Sequence, residues 1–473
     1  MADSIGIALL AAGKGTRMKI ETAKALAPLL GRSLMDFVID GVSAFSEKFK
    51  LDAHIGVVIG HRREDVQKHV LSTYPKRTDI SFAIQEQQKG TADALKSYFQ
   101  GTSKAWKQKY TMVICADTPL ISENELSQLF EQLSQNPKLE GVAATFKTND
   151  PTGYGRIVRS SKGFHITEEK DADAETKKIQ EVNSGLYIFK TDFIKKHLEE
   201  IDNKNKSGEF YLTDLFQDEY EVKPLLFANE MVFHGVNTLD QLEEAELHLR
   251  KKKTKILKNK GVRFYDADTC YLDWQVEIGS GSVIYPNVVI QGATVIENDC
   301  VIEMGNTIKN SRIGRATTIF ANSYIDGAQV AAEVNIGPFA RLRPGTELAD
   351  KVKIGNFVEV KKSQLAKGVK VSHLSYVGDC EIGQESNIGC GFISCNYDGV
   401  NKHKTKIGEN TFIGSDVQAV APITIGSDAF IAAGSTITSN VPDGAFAIAR
   451  TKQVTKPDLA KKFLPKKVKS SSY

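Results

Sequence analysis

The sequence predicts a two-part chain, an α/β domain joined by a long helix to a parallel β-helix, and three observations carry that prediction. From Ile278 to Ile437 aliphatic residues recur at every sixth position. Between Ile5 and Ala116 short apolar runs alternate with helical stretches. Between the two halves, the stretch from Thr238 to Gly261 carries helix signals at both ends. A spacing of six belongs neither to a helix nor to an ordinary strand. It is the signature of hexapeptide repeats stacked into a parallel β-helix.

The repeat runs Ile278, Ile284, Ile290, Ile296, Ile302, Ile308, slips by one residue, and resumes as Ile313, Ile319, Ile325, Ala331. It continues as Ile336, Leu342, Leu348, Ile354, Val360, then Leu365, Val371, Val377, then Ile382, Ile388. After an insertion it returns as Ile407, Ile413, Ala419, Ile425, Ile431, Ile437. Each coil is expected to be triangular, with an aliphatic residue pointing inward from each of three short faces. Gly or a small polar residue is expected at the corners, where the backbone is tight. A β-sandwich with coincidental spacing would not keep phase through these slips and an insertion. No coil buries its face alone, so the coils must stack.

Length, charge and cysteine usage bound the rest. A chain of 473 residues exceeds one core and implies two or three domains. A net charge of +3 does not argue for a nucleic-acid partner. No apolar run approaches 18 residues, so no membrane span is expected. The start, Met1-Ala2-Asp3-Ser4, lacks the marks of a signal peptide. The six cysteines show no metal-type spacing and read as reduced thiols of a cytoplasmic protein.

In the first half, strands are expected at Ile5 to Leu10, His54 to Gly60, Ile80 to Gln85 and Tyr110 to Ala116, with helices near Leu34 to Phe45 and Arg63 to Ser72. That alternation predicts an α/β sheet binding ligands at the C-terminal ends of its strands. The first strand runs into Ala11-Ala12-Gly13-Lys14-Gly15-Thr16-Arg17-Met18. Small residues there allow close backbone approach to phosphate. Arg17 and Lys24 can neutralise its charge. The loop fits neither the dinucleotide nor the P-loop pattern. Gln85 to Thr91 and Asp117 follow two further strand ends. Asp117 is either a helix cap or, in a phosphate site, a ligand to Mg²⁺.

Thr238-Leu239-Asp240-Gln241 reads as a capping box. Acidic Asp240, Glu243, Glu244 and Glu246 come early, Arg250 to Lys253 come late, and Gly261 offers a stop. A connecting helix from Leu239 to Lys260 is therefore expected. The domain bounds follow as 1–238, 239–261 for the connection, 262–449 and a basic tail, 450–473.

The wording of several segments resembles a known family. Leu10 to Met18 is similar to the signature loop of sugar-phosphate nucleotidyltransferases. Gly153-Tyr154-Gly155-Arg156-Ile157, Glu168 to Ala172, Glu181 to Gly185, Gly208 to Asp214 and Gly235-Val236-Asn237 follow in that family's order. Joined to hexapeptide repeats, nearly all of residues 5–455 resembles the bifunctional N-acetylglucosamine-1-phosphate uridyltransferase / glucosamine-1-phosphate acetyltransferase family. The resemblance implies a Rossmann-like α/β nucleotidyltransferase domain and a left-handed parallel β-helix. It implies acetyl transfer from acetyl-CoA to glucosamine-1-phosphate, then uridylyl transfer from UTP to N-acetylglucosamine-1-phosphate, yielding UDP-N-acetylglucosamine for peptidoglycan and lipopolysaccharide. By motif position, Arg17 and Lys24 stabilise phosphates and Asp117 and Asn237 hold Mg²⁺. Leu10, Ala11, Ala12 and Gly13 form the nucleotide loop; Gln85, Gly90 and Thr91 face uracil; Gly155, Glu168 and Asn183 grip the sugar. In the second half His373 would be the general base on the sugar amine. Arg343 and Lys361 bind the sugar phosphate, and Tyr376, Asn387 and Lys402 contact the sugar. Cys390, Asn396, Tyr397, Ser415, Ala433 and Arg450 line the acetyl-CoA site.

The sequence departs from the family's wording in three places. Ala23 stands where Pro commonly precedes Lys24, which is expected to loosen that loop. Gly90-Thr91-Ala92-Asp93-Ala94 replaces the usual Gly-Thr-Gly-His-Ala at the base. Cys390 replaces a usual Ala. The resemblance also implies a homotrimer with acetylation sites at subunit boundaries. The Lys-rich tail, including Lys461, Lys462, Lys466, Lys467 and Lys469 and ending Ser470-Ser471-Ser472-Tyr473, would reach a neighbour's coenzyme A or simply be solvated. Two other readings stay open. One is a related enzyme using another base or hexose. The other is a non-catalytic scaffold such as the similar subunits of the eukaryotic translation-initiation exchange factor, against which the joint presence of Arg17, Lys24, Asp117, Asn237 and His373 argues.

Overall fold

The structure, a computed structural model, describes residues 3–13 and 15–464; Lys14, Lys466, Lys467, Lys469 and the closing Ser470 to Tyr473 lie outside them. The chain forms two compact units, Met1–Lys253 and Thr254–Tyr473.

The first unit is built on one mixed sheet. Its strands are β1 (Ser4–Leu10), β2 (Asp52–Ile59), β3 (Ile80–Ile84), β4 (Tyr110–Cys115), β5 (Gly141–Lys147), β6 (Arg156–Arg159), β7 (Phe164–Thr167), β8 (Glu181–Lys190) and β9 (Val222–Phe227). The order across the sheet is β9-β5-β8-β4-β1-β2-β3, with β6 and β7 attached beside β8. Strands β1 to β4 pair in parallel, and β8 runs antiparallel to both its neighbours. Ile5, Ile7, Ala8 and Leu9 of β1 are all buried, as expected of a central parallel strand covered on both faces. The chain moves one way from β1 to β3 and returns to the other side of β1 for β4. The crevice beyond the ends of β1 and β4 is therefore the switch point at which open α/β sheets bind ligands. Helix α1 (Leu34–Phe49) begins at a capping box in which Ser33 and Asp36 exchange backbone bonds. Helices α2 (Arg63–Thr73) and α3 (Thr91–Gly101) follow, so the first-half elements fall within a few residues of their expected bounds.

The predicted connecting helix is α6, Leu239–Asn259, coming after α4 (Glu123–Ser134) and α5 (Thr191–His197). Its capping box forms as read: Gln241 N–H donates to Thr238 Oγ1 at 3.2 Å, and Gln241 Oε1 accepts from the N–H groups of Asn237 and Thr238. Gly261 then takes φ 89°, a left-handed turn that releases the chain into the first coil.

The second unit is the left-handed parallel β-helix, its short strands stacking into three parallel sheets of 11, 10 and 9 strands. Along one sheet Ile284, Ile302, Ile319, Ile336, Ile354, Val371, Ile388, Ile413 and Ile431 are successive partners, all buried. The slips are coils one residue shorter, such as Ile302 to Ile319. One reading needs correction: Val330, not Ala331, points inward, because the shortened step falls between Ile325 and Val330, one hexad earlier than the count placed it. At the insertion the inward place falls to Ser394, whose hydroxyl accepts from Gly378 N–H at 2.8 Å. The corners are partly as expected. Buried Ser and Thr bridge coils there: Thr317 Oγ1 donates to Ala331 O and accepts from Val334 N–H. Left-handed corners are also taken by larger side chains, including Phe339, Phe357 and Leu374. The glycines that follow inward aliphatics answer a different need, close approach between coils: a Cβ on Gly355 would stand 1.8 Å from Ser372 O.

Candidate functional sites

In the first unit a cavity of about 460 Å³ opens at the switch point. Leu10 ends β1 and Ala11 to Gly13 follow it, Gln85, Gly90 and Thr91 follow β3, and Cys115 ends β4 with Ala116 and Asp117 after it; all line the cavity, with Lys24 and Glu168. The loops are tied to the sheet. Ala11 N–H donates to Val58 O at 2.9 Å and Ala116 N–H to Leu10 O at 3.0 Å.

The charged side of the cavity is one connected group. The ammonium of Lys24 pairs with Asp117 Oδ2 and donates to Asn237 Oδ1 at 2.6 Å. Arg17 donates to the same Asn237 oxygen at 2.7 Å. Asn237 is brought to Asp117 by the backbone, since Val236 N–H donates to Asp117 O at 2.8 Å. Two oxygens from distant parts of the chain thus converge on one cation. Ala23, expected to loosen this loop, is buried and holds φ −57°, close to the angle a proline ring imposes, so the turn keeps its form. Burial, with the nearby Asp117 carboxylate, pushes the Cys115 thiol up to about 12. That direction favours the thiol over the thiolate in this cavity.

At the far wall, Glu168 accepts from Thr213 Oγ1 at 2.9 Å. Burial raises its carboxyl above the usual range, with Asp214, Asp171 and Glu209 adding to the effect. Gly155 and Asn183 adjoin it: Asn183 N–H donates to Gly155 O at 2.9 Å, and a Cβ on Gly155 would lie 3.5 Å from Glu168 Oε2. Asn183 sits where the β8–β5 register shifts, and its amide is partly committed to Tyr187 Oη at 2.6 Å. Arg156, of the same motif, is buried and paired with Glu169 at 2.6 Å. Gln88, Glu209 and Tyr211 also line the cavity and had no expected role. Their signal was present in the amide-rich run after β3 and in the Gly208 to Asp214 motif.

In the second unit the expected residues form two groups. His373 ends the strand Lys370–His373, directly opposite Asn356 on the preceding coil, and its Nδ1 meets Asn356 Oδ1 at 2.8 Å. Above it, on the same edge, backbone bonds carry the chain upward from coil to coil: Gly391 N–H to Leu374 O, Asp416 N–H to Cys390 O and Gly434 N–H to Ser415 O. Arg450 reaches within 3.9 Å of the position a Cβ on Gly434 would take. His373, Cys390, Ser415, Ala433 and Arg450 therefore climb one edge of the prism. Asn387, one coil above Lys370, is on the sheet beside them.

Arg343, Lys361 and the inserted loop stand across the neighbouring face. Arg343 pairs with Glu359 at 2.8 Å, and Glu359 is the register partner of Tyr376. The Lys402 ammonium beside it pushes Lys361 below its usual range, and Arg343 adds to this. Arg343, Lys361 and Lys402 thus gather on this face, with Glu359 paired to Arg343 and Asp379 near Lys361. Asn396 Nδ2 donates to Asp379 Oδ2 at 2.5 Å, and Tyr397 bridges to Lys402, which braces the inserted loop. Asn356, Glu359 and Asp379 had no expected role; each is one coil from an expected residue, a relation visible only once the coil length is known.

All six cysteines are free thiols. Among the described residues no helix is long and apolar enough to cross a membrane, and no group of three His, Cys, Asp or Glu side chains is placed to hold a metal.

Comparison with known proteins places this architecture. The nucleotidyl transferase family model matches residues 7–251, and the bacterial transferase hexapeptide model, of six repeats, matches residues 404–439. The chain is 39% identical over 469 residues to the bifunctional protein GlmU of Pelobacter propionicus, covering 96% of this chain and 97% of that one. It is 41% identical over 461 residues to that of Geotalea uraniireducens, covering 96% and 98%. To that of Clostridioides difficile it is 41% identical over 455 residues, covering 95% of each. With a nucleotidyltransferase unit, a hexapeptide unit and matches along nearly its whole length, the chain belongs to the GlmU family of bifunctional uridyltransferase/acetyltransferase enzymes.

Proposed function

We propose that the chain makes UDP-N-acetylglucosamine in two steps at two separate sites. Acetyl-CoA acetylates glucosamine-1-phosphate on the β-helix, and the product then attacks UTP in the first unit, releasing pyrophosphate. The observation that carries the nucleotidyl step is the convergence of Lys24, Arg17, Asp117 and Asn237 at the switch-point cavity.

Uridylyl transfer asks for alignment and charge neutralisation, not a covalent nucleophile. Ala11, Ala12 and Gly13 offer small residues, Ala12 and Gly13 with their backbone N–H groups, to the phosphates at the end of Leu10's strand, and Lys24 and Arg17 neutralise them. Asp117 and Asn237 fit Mg²⁺: their oxygens already share one cation, and Mg²⁺ takes few protein ligands beside substrate phosphates. The bound ion would supply charge neutralisation of the phosphate oxygens. Gln85, Gly90 and Thr91 receive the base. Glu168, with Gly155 and Asn183 behind it, receives the sugar.

For acetyl transfer, Asn356 Oδ1 accepts a hydrogen bond from Nδ1–H of His373, so the Nε2 lone pair is free to remove a proton from the amine. Arg343, Lys361 and Lys402 receive the sugar phosphate, with Tyr376 and Asn387 on the sugar. The edge from Cys390 to Arg450, with Asn396 and Tyr397, receives acetyl-CoA. Because His373 and the cation group stand across a face of one prism, we place the complete acetylation site between neighbouring copies of a homotrimer. Functional bounds of 1–238, 239–261, 262–449 and 450–473 and a cytoplasmic location, where these substrates occur, complete the proposal.

One coupled assay tests it. Purified protein with glucosamine-1-phosphate, acetyl-CoA, UTP and Mg²⁺ is expected to release coenzyme A and pyrophosphate, the latter dependent on acetyl-CoA. Release of neither product from folded protein would overturn the reading.

A further inference from the structure

The position where this chain departs from its family's usual wording at the base, Asp93, has a defined structural job. Gln85 is 4% exposed and lines the cavity. Its amide nitrogen donates twice, to Gly90 O at 3.2 Å and to Asp93 Oδ2 at 2.7 Å. A primary amide has two N–H donors, so both are spent on these partners. A carbonyl and a carboxylate are acceptors only. Turning the amide over would set its oxygen against two acceptors at once. Gly90 O is itself held in place. It accepts from Ala94 N–H at 3.2 Å, and the loop is bound to Phe210 through Ala92 N–H at 3.0 Å. Gln85 Oε1 has no protein partner among the described residues, which leaves an acceptor for the cavity.

We propose that Asp93 is a positioning residue for base selection: by fixing the Gln85 amide, it makes the cavity present an acceptor, and so select a base that carries a ring N–H. The inference rests on reading this cavity as the nucleotide site. Uracil N3 carries a hydrogen and donates to that oxygen. Cytosine N3 carries a lone pair and faces it acceptor to acceptor. A site whose buried polar atom is left unpaired rejects the wrong ligand more strongly than a merely apolar wall does. Asp93 also sits in the first turn of α3, where an acid suits the helix dipole, and the test must separate this simpler role from the positioning one.

The test compares Asp93→Asn, Asp93→Ala and Asp93→Glu with the wild-type full-length protein. Pyrophosphate release from UTP and from CTP is measured with N-acetylglucosamine-1-phosphate, and the ratio of kcat/KM for the two nucleotides is the readout. Acetyl transfer by each variant reports intact folding. An Asn at 93 can turn its own N–H₂ toward Gln85 and let the amide flip. The ratio is expected to fall by about tenfold or more in the Asn and Ala variants, with the loss in KM for UTP. It is expected to hold in the Glu variant, which restores the acceptor. A helix-dipole role alone would lower both nucleotides together and leave the ratio unchanged; that result overturns the proposal. Wild-type protein that releases pyrophosphate from no nucleotide overturns the nucleotide-site reading itself, and this inference with it.

Discussion

Replacing Asn356 tests how the β-helix makes a base of an exposed histidine. The two residues are register partners on adjacent coils, so the backbone brings the rings and amide together whatever the side chain at 356. The side chain adds only the 2.8 Å bond to Nδ1. A neutral hydrogen bond is worth about 0.5–1.5 kcal/mol. At about 1.4 kcal/mol per factor of ten, Asn356→Ala should lower kcat for acetyl transfer about two- to tenfold, against a loss of about a hundredfold or more for His373→Ala. Asn356→Asp should act on the pH profile. A carboxylate beside Nδ1 favours the protonated ring, and the ring must lose that proton to serve as base. The acidic limb of the rate therefore moves to higher pH, by about half a unit for an exposed pair. The assay is coenzyme A release between pH 5 and 9. An unchanged rate in Asn356→Ala and an unmoved acidic limb in Asn356→Asp, with His373→Ala inactive, would refute the claim that Asn356 sets the ring's tautomer.

The two chemistries should separate: Asp117→Ala is expected to abolish pyrophosphate release while leaving acetyl transfer intact, and loss of both in folded protein would contradict separate sites. Burial, with Asp202 and Asp171 nearby, pushes the Asp214 carboxyl up to about 6. Its folded-state value lies above its unfolded one, so stability is full below about pH 4 and declines as pH rises through 6. Asp214→Asn should therefore stabilise the protein at pH 8 by about 1 kcal/mol after solvent screening, and not at pH 4, as read by thermal unfolding. Gly355→Ala places a methyl against Ser372 O, on the coil that carries His373. It should cost about 1–3 kcal/mol of stability and lower acetyl transfer more than nucleotidyl transfer. If the acetylation site joins two subunits, mixing His373→Ala with Lys361→Ala chains should restore about one site in four. Mixed trimers with no activity would place the site within one chain.

The sequence carried the architecture because each part of it repeats or is capped locally. Period six needs only side chains pointing inward, and the three sheets follow from it. The helix from Leu239 needs only Thr238, Gln241 and a charge gradient. The misread coil shows the limit. Val330 and Ala331 are adjacent apolar residues, and which one points inward depends on the length of the coil, which one position cannot reveal. Ser394 is the same difficulty in a different form: a hydroxyl that finds a backbone partner can occupy an aliphatic's place.

Sites were legible where motif and strand end coincide, as at Leu10 to Gly13, Gln85 and Asp117. What escaped were partners that only the fold brings near. Asn356 is 17 residues before His373, Asp379 is 17 before Asn396, and Glu359 is 16 after Arg343; each distance is about one turn of the prism. The departures from the family's wording were visible from the start, but the three differ in consequence. Ala23 keeps the angle of the proline it replaces, so that change is absorbed by the backbone. Cys390 adds a free thiol on an exposed edge. Asp93 alone changes which atoms of a buried neighbour are spoken for, because an acceptor-only group now takes one of Gln85's two donors. The weight of a substitution in a binding loop lies less in its own contact with the ligand than in the donors and acceptors it leaves free.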